Sequence, residues 1–235
     1  MTNKYNFLLL FLSFILVFTT AFAQKKSSKD YLVTITTDFG EAKLILYDQT
    51  PKHKANFIKL AQKKFYDGLL FHRIIEGFMI QGGDPTSKNA TPEQSLGDGN
   101  VGYTVPAEFD PKIFHKKGVI AAARDDRPDK ASSGCQFYIV QGKKFTDDMF
   151  PAAEKRSGRI IPEDQKQIYR TLGGTPHLDM NYTAYGEVIS GLEMVDKIAA
   201  QSKNTKDRPQ KDIRMKVSVE KMRKKKITKL YGYQF

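Results

Sequence analysis

One cysteine, Cys135, is all the chain contains, so no disulfide can form within it and packing alone must hold the fold, even in an oxidising compartment. The four histidines (His53, His72, His115, His177) make neither an HExxH pair nor a Cys/His set at zinc spacing. No Gly-x-Ser-x-Gly marks a serine nucleophile, and no GxxxxGK followed by Ser or Thr marks a phosphate loop. Metal hydrolysis, covalent catalysis and nucleotide chemistry therefore lack the residues to run them, and no cofactor is expected. Cys135, between Gly134 and Gln136, has none of the cationic neighbours that activate a thiol and reads as a small buried filler. After the first two dozen residues no apolar run is long enough to span a bilayer.

What those first residues do contain is Lys4, the apolar run Phe7 to Phe18 and then Ala21-Phe22-Ala23, the pattern of a secretory signal cleaved after Ala23. The expected organisation is a signal at 1–23, a short linker at 24–30, one domain over 31–222 and a basic tail at 223–235. The mature protein is then exported, periplasmic or else secreted, with no membrane span. The formal net charge of +12 is spread along the chain and concentrates only in "KMRKKKITK" near the end. That reads as a solvated tail on a monomer rather than a nucleic-acid surface.

Two β-rich runs, Tyr31 to Thr37 and Ala42 to Tyr47, flank Asp38-Phe39-Gly40-Glu41 and predict a hairpin. Thr50-Pro51 resembles a helix start, with apolar residues at near-helical spacing to residue 64. Short strands are expected at 71–75, 78–81, 118–123, 136–140, 183–189 and 213–222, and a short helix near 192–198. Residues 83–117 are rich in Gly, Pro, Asp, Asn and Ser and read as surface loop. The stretch 142–176 breaks the β pattern, with a helix predicted from Pro162-Glu163 to about Leu172. This insertion is read as a cap on the sheet. The order of elements points to a mainly β or α+β domain with helices at its ends.

"FHRIIEGFMIQGGDPT", residues 71–86, is harder to place. Strand alternation puts Phe71, Arg73 and Ile75 on one face and His72 and Ile74 on the other. Met79 and Gln81 share a face beyond the turn, and Gly82-Gly83 permits close approach of a ligand or a strand. Arg73 is then either an ordinary exposed arginine or the polar rim of an apolar pocket.

This run resembles the signature of the cyclophilin family of peptidyl-prolyl isomerases. "SSGCQFYIV" and "HLDMNYTAYGEVISGLEMVDKI" are similar to that family's later strands, in the same order. The resemblance implies a closed eight-stranded antiparallel β-barrel capped by two helices, with a groove on its outer wall that takes proline-containing polypeptides. It also implies that Arg73 and Gln81 are catalytic, that Phe78, Met79, Tyr138 and Leu178 surround the proline ring, and that Ala123, Arg124 and Gln136 meet the peptide, with His177 and Tyr182 at the edge. A proline-peptide binding module or holding chaperone without turnover is the rival reading. Departures from the family occur at four places. Arg124 stands where many relatives have Asn, leaving only its backbone to bind. His177 replaces a Trp and Tyr182 a His, so cyclosporin is expected to bind weakly. Tyr138 adds a hydroxyl that leaves activity intact where it points to solvent.

Overall fold

The computed structural model describes residues 27–235. The expected signal at 1–23 and the first residues of the linker lie outside the described residues. Lys29 and Asp30, placed in the linker by sequence, already belong to β1 (Lys29–Thr37), which turns through Asp38 and Phe39 into β2 (Gly40–Leu46). Then α1 (Pro51–Gln62) begins with proline in its first turn and buries Phe57, Leu60 and Ala61. Its first free amides are not taken by Thr50, the expected cap. The Glu108 carboxylate accepts from Lys52 N and His53 N, both at 3.0 Å, and so places a negative charge at the positive end of the helix.

Strands β3 (Phe71–Ile75) and β4 (Met79–Gly82) follow, then the long surface loop with the two-residue strand β5 (Thr104–Val105). Next come β6 (Val119–Ala122), β7 (Ser132–Ser133), which pairs with β5, and β8 (Phe137–Val140). The insertion holds α2 (Phe150–Ser157) and α3 (Glu163–Thr171), and the chain ends with β9 (Ala184–Ser190), α4 (Leu192–Ala199), β10 (Lys216–Arg223) and α5 (Lys224–Tyr231). Among the described residues no helix is long and apolar enough to cross a membrane.

Eight strands make one curled antiparallel sheet in the order β10-β1-β2-β9-β6-β8-β4-β3. The closed barrel expected from sequence is corrected here to an open sheet, because β3 and β10 at its two ends do not pair as strands. The segment leading into β10 occupies the outer edge of β3 instead. Phe71 N donates to Ile213 O and Ile74 N to Asp207 O, both at 2.9 Å, and Met215 N reaches Leu69 O at the same distance. Edge groups that would otherwise be left unpaired are thereby satisfied.

Inside the curl, Phe57, Leu60 and Ala61 of α1 and Met194, Val195 and Ile198 of α4 pack on Val33, Leu44, Phe71, Ile74, Ile80, Ile120 and Phe137. The insertion has a small core of its own, made of Phe145, Phe150, Ala153, Ile161 and Tyr169. Its α2 packs on the 3-10 turn Pro176–Leu178. Residues 223–235, read as a solvated tail, contain α5 instead. Its Ile227 is fully buried with Leu32, Ile45 and Met222.

Candidate functional site

Residues 71–82 form the β3–β4 hairpin, and their alternation is not the simple one. A register shift between Phe71 and Arg73 lets Phe71 and Ile74 both enter the core. Arg73 and Ile75 are thereby turned to the outer face. Across the sheet Arg73 stands opposite Gln81, Gln81 opposite Tyr138, and Tyr138 opposite Ala121, one outward row over four strands. Gly82-Gly83 serves a strand rather than a ligand. Gly83 has φ +93°, and a Cβ there would collide with the Cys135 carbonyl. Cys135 itself is buried, and burial pushes its thiol up to about 11, in keeping with an inert filler.

Beside the polar end of that row lies an apolar cluster separate from the core. Met79, Tyr138 and Leu178 are buried in it with Val119, Ala121, Val140 and Ala184, and Phe78, Ala123 and Tyr182 pack against it. Leu178 arrives on the 3-10 turn Pro176–Leu178, and His177 on the same turn stacks on Phe78 at 5.7 Å. Burial, reinforced by the charges of Arg156 and Lys143, lowers the His177 pKa to about 4, so its ring is neutral at pH 7. The expected ring of residues is thus assembled from β4, β6, β8 and the turn before β9.

Arg73 has a side chain 41% exposed, with Nε 3.7 Å from Asp207 Oδ2. Its Nη1 donates to Gln81 Oε1 at 3.5 Å. Gln81 Nε2 donates in turn to Gln136 Oε1 at 3.1 Å. Gln136 Nε2 is held by the carbonyls of Gly97 (2.7 Å) and Gly99 (2.8 Å), and this fixes which way its amide faces. That loop is itself pinned by Asp84, fully buried, whose carboxylate accepts from Thr86 N (2.8 Å) and Gly97 N (2.6 Å). Burial pushes the Asp84 carboxyl up, but these donors outweigh it and leave its pKa below the ordinary value. Sequence reasoning missed Asp84, Gly97, Gly99 and Asp207. "GGDPT" hinted at the aspartate; nothing local marked the others.

Two side chains of the expected site are tied up within the protein. Arg124 does not leave its side chain idle. Its Nε donates to Asn181 O at 2.8 Å, and its guanidinium lies over the Tyr182 ring at 4.7 Å, one wall of the groove. The backbone of Ala123 is already used, its N–H by Gln136 O (3.0 Å) and its C=O by Ser133 N (2.8 Å). Nor does the Tyr138 hydroxyl reach solvent, since it turns inward to His115 Nε2 at 3.0 Å. Asp179 Oδ1 accepts from His115 Nδ1 at 2.9 Å, which leaves Nε2 as acceptor and makes Tyr138 the donor. Tyr169 of α3 closes the chain with 2.9 Å to Asp179 Oδ2. Burial drives the Tyr138 pKa well above 10, so the phenol stays protonated.

Two hollows lie along β4 on either side of the cluster. One, about 440 Å³, is at the Gln81 end and is lined by Gly97, Gly99, Tyr103, Arg124 and Gln136. The other, about 340 Å³, is at the Phe78 end against α2. A further cavity, about 660 Å³, lies between β2 and the C-terminal residues and is lined by none of the site residues named above. Among the described residues no group of three or more His, Cys, Asp or Glu is placed to hold a metal.

The family model of the cyclophilin type peptidyl-prolyl cis-trans isomerases matches residues 32–219. A Staphylococcus haemolyticus protein named as a candidate peptidyl-prolyl cis-trans isomerase is 32% identical over 182 residues, covering 77% of this chain and 86% of its own. A Streptococcus pyogenes protein named as a candidate bifunctional phosphatase/peptidyl-prolyl cis-trans isomerase is 36% identical over 185 residues. The match spans 77% of this chain but 37% of that relative. In fold, the chain is similar to a Cryptosporidium parvum cyclophilin crystal structure, with TM-score 0.61 and 23% identity over 82% of this chain and 98% of that one. The same Cryptosporidium protein, in a structure obtained in the presence of the dipeptide Ala-Pro, gives TM-score 0.58 at 22% identity over 80% of this chain and 98% of that one. With a family model spanning nearly all the described domain, this chain belongs to the cyclophilin-type peptidyl-prolyl cis-trans isomerases.

Proposed function

We propose that the outer groove binds X-Pro segments of exported polypeptides and that Arg73 is the catalytic residue. The observation that carries this reading is the junction of an exposed guanidinium with the apolar cluster around Met79, Tyr138 and Leu178. An X-Pro bond turns over a barrier of roughly 18–20 kcal/mol because resonance makes its C–N bond partly double. No covalent bond has to break. As the amide twists, resonance is lost, and the nitrogen becomes pyramidal with a lone pair free to accept a hydrogen bond.

Arg73, held by Gln81 and beside Asp207, donates to the proline carbonyl and towards that nitrogen. The second contact exists only in the twisted state, so it lowers the barrier rather than merely tightening binding. Phe78, Met79, Tyr138 and Leu178 hold the ring in a site that excludes water. Gln81 and Gln136 orient Arg73 and meet the peptide, while the Arg124 backbone takes the extended chain, with His177 and Tyr182 at the edges. The Ala-Pro dipeptide supplied to the Cryptosporidium relative is a substrate fragment of the kind this reading requires. The Lys4, Phe7–Phe18 and Ala21-Phe22-Ala23 pattern supports export to the periplasm, where a monomer without cofactor would speed slow proline exchange during folding.

The test is an exchange assay on a short Ala-Pro peptide, comparing the parent with Arg73→Ala. Loss of one preorganised donor predicts a fall in kcat/KM of about 10²- to 10³-fold. Thermal unfolding should be nearly unchanged, because the side chain is exposed and its ion pair is long. Equal rates in the two proteins would leave a proline-binding module without turnover.

A further inference from the structure

The hollow at the Phe78 end has a wall that the opposite hollow lacks. The insertion supplies Phe145, Met149, Ala152 and Ala153 as an apolar floor, with Lys143 and Arg156 at the rim. Phe78 and His177, which edge the proline cluster, line it as well. Phe78 and His177 thus border both the hollow and the cluster, which sets the hollow next to a peptide seated at the cluster. Phe78 precedes Met79 on the strand that carries Gln81, so the hollow and the Arg124 side are separated along β4 by about 3.3 Å per residue.

Charge points to what enters, because the cations at the rim are uncompensated. The nearby Lys166 and Arg170 are paired with Glu154, Asp147 and Glu163, whereas among the described residues Lys143 and Arg156 take part in no ion pair. Both raise the potential inside, as their effect on the His177 ring shows.

We propose that this hollow is a second substrate subsite, taking a large apolar side chain with a neighbouring carboxylate, on the side of the proline away from Arg124. The inference rests on the reading of the cluster as the proline site and gives that site a sequence preference. Its contacts are made equally in the planar and twisted states of the X-Pro bond, so they act on KM and leave kcat alone.

The test uses peptides with an Ala-Pro core that carry Leu-Glu or Leu-Lys two residues from the proline, in one series before it and in another after it. In one of the two series the parent should bind the Leu-Glu peptide about five- to tenfold more tightly, with the same ratio in KM and equal kcat. The exposed double substitution Lys143→Glu, Arg156→Glu should reverse that preference, and Ala152→Trp should remove the gain from Leu. Neither variant should alter kcat/KM on a short Ala-Pro peptide. Equal affinities for the two peptides in both series, or a charge-reversed protein that keeps the parent's preference, would overturn the subsite. Absence of turnover on the short peptide counts against the isomerase reading alone, since the affinity ratio measured by titration decides the subsite without it.

Discussion

Tyr138 shows how much a single side chain's role depends on what lies behind it. A proline ring needs only its apolar face, and the hydroxyl instead joins a buried chain through His115 and Asp179 to Tyr169. Tyr138→Phe leaves His115 Nε2 buried without a donor, which costs about 1–3 kcal/mol. For a chain of this size each kcal/mol is worth about 2–4 °C in Tm. A thermal scan should therefore show a clear drop, while kcat/KM on a short peptide changes less than about threefold because the ring stays in place. An unchanged Tm would show that the hydroxyl contributes nothing. The residues that touch substrate in the proposed site were legible through the family resemblance, Arg73, Phe78, Met79 and Gln81 in the run "FHRIIEGFMIQGG" and Gln136, Tyr138 and Leu178 in two later segments. Those that hold them were not. His115 and Asp179 are 64 positions apart, and Gln136 meets Gly97 across 39. No local pattern announces such pairs.

Among the elements, α1, α3, α4 and the main strands follow from periodicity and from Pro and Gly signals. α5 does not. In "KKKITKLY" only Ile227 is buried, and a run half made of lysine looks like a tail until Leu32, Ile45 and Met222 are known to lie beneath it. Removing that contact with Ile227→Ala should cost roughly 2–4 kcal/mol, the transfer of the lost methyl groups plus the cavity they leave. A lowered denaturant midpoint with normal activity below it is the expected result, since this cluster lies on β1 and β2 while the groove is built on β3, β4 and β8. A midpoint within error of the parent's would restore the tail reading. The bulge at Arg73 is the other element-scale surprise. It moves one strand's faces out of step, and only the pairing of β3 with β4 reveals it.

At the scale of the whole molecule, pH acts through histidines that the fold keeps neutral. Burial lowers His72 to about 4, with the positive charges of Arg73 and Arg208 adding to it. His177 is lowered to about 4 as well, though it is less deeply buried. An unfolded histidine titrates near 6.5, so between pH 6.5 and 4 the unfolded chain binds protons that the folded one refuses. Stability is then at full value above about pH 6.5 and falls as pH drops through that window. His72 accounts for on the order of 2–3 kcal/mol by pH 4, and His177 for less. Asp84 and Glu108, whose pKa values are held low by hydrogen bonds despite burial, act in the same direction at still lower pH. Unfolding midpoints measured from pH 7.5 to 4 should descend steadily below 6.5, and His72→Gln should flatten part of that slope. A flat profile in the parent would mean that the imidazole accepts its proton in the folded state.

Local chemistry was enough to declare a mainly β domain with no disulfide within it, because turn residues and alternation act within a few positions of one another, and a contiguous motif resembling a known family was enough to nominate Arg73 with its apolar neighbours. Folding had to decide the rest: that the sheet stays open with a loop laced to its edge, that Asp84 and Gln136 fix the loop beside Gln81, and that the insertion packs on the turn carrying His177 and Leu178. Each of these depends on groups brought together across dozens of residues, where burial and hydrogen-bond geometry, not neighbouring sequence, set the outcome.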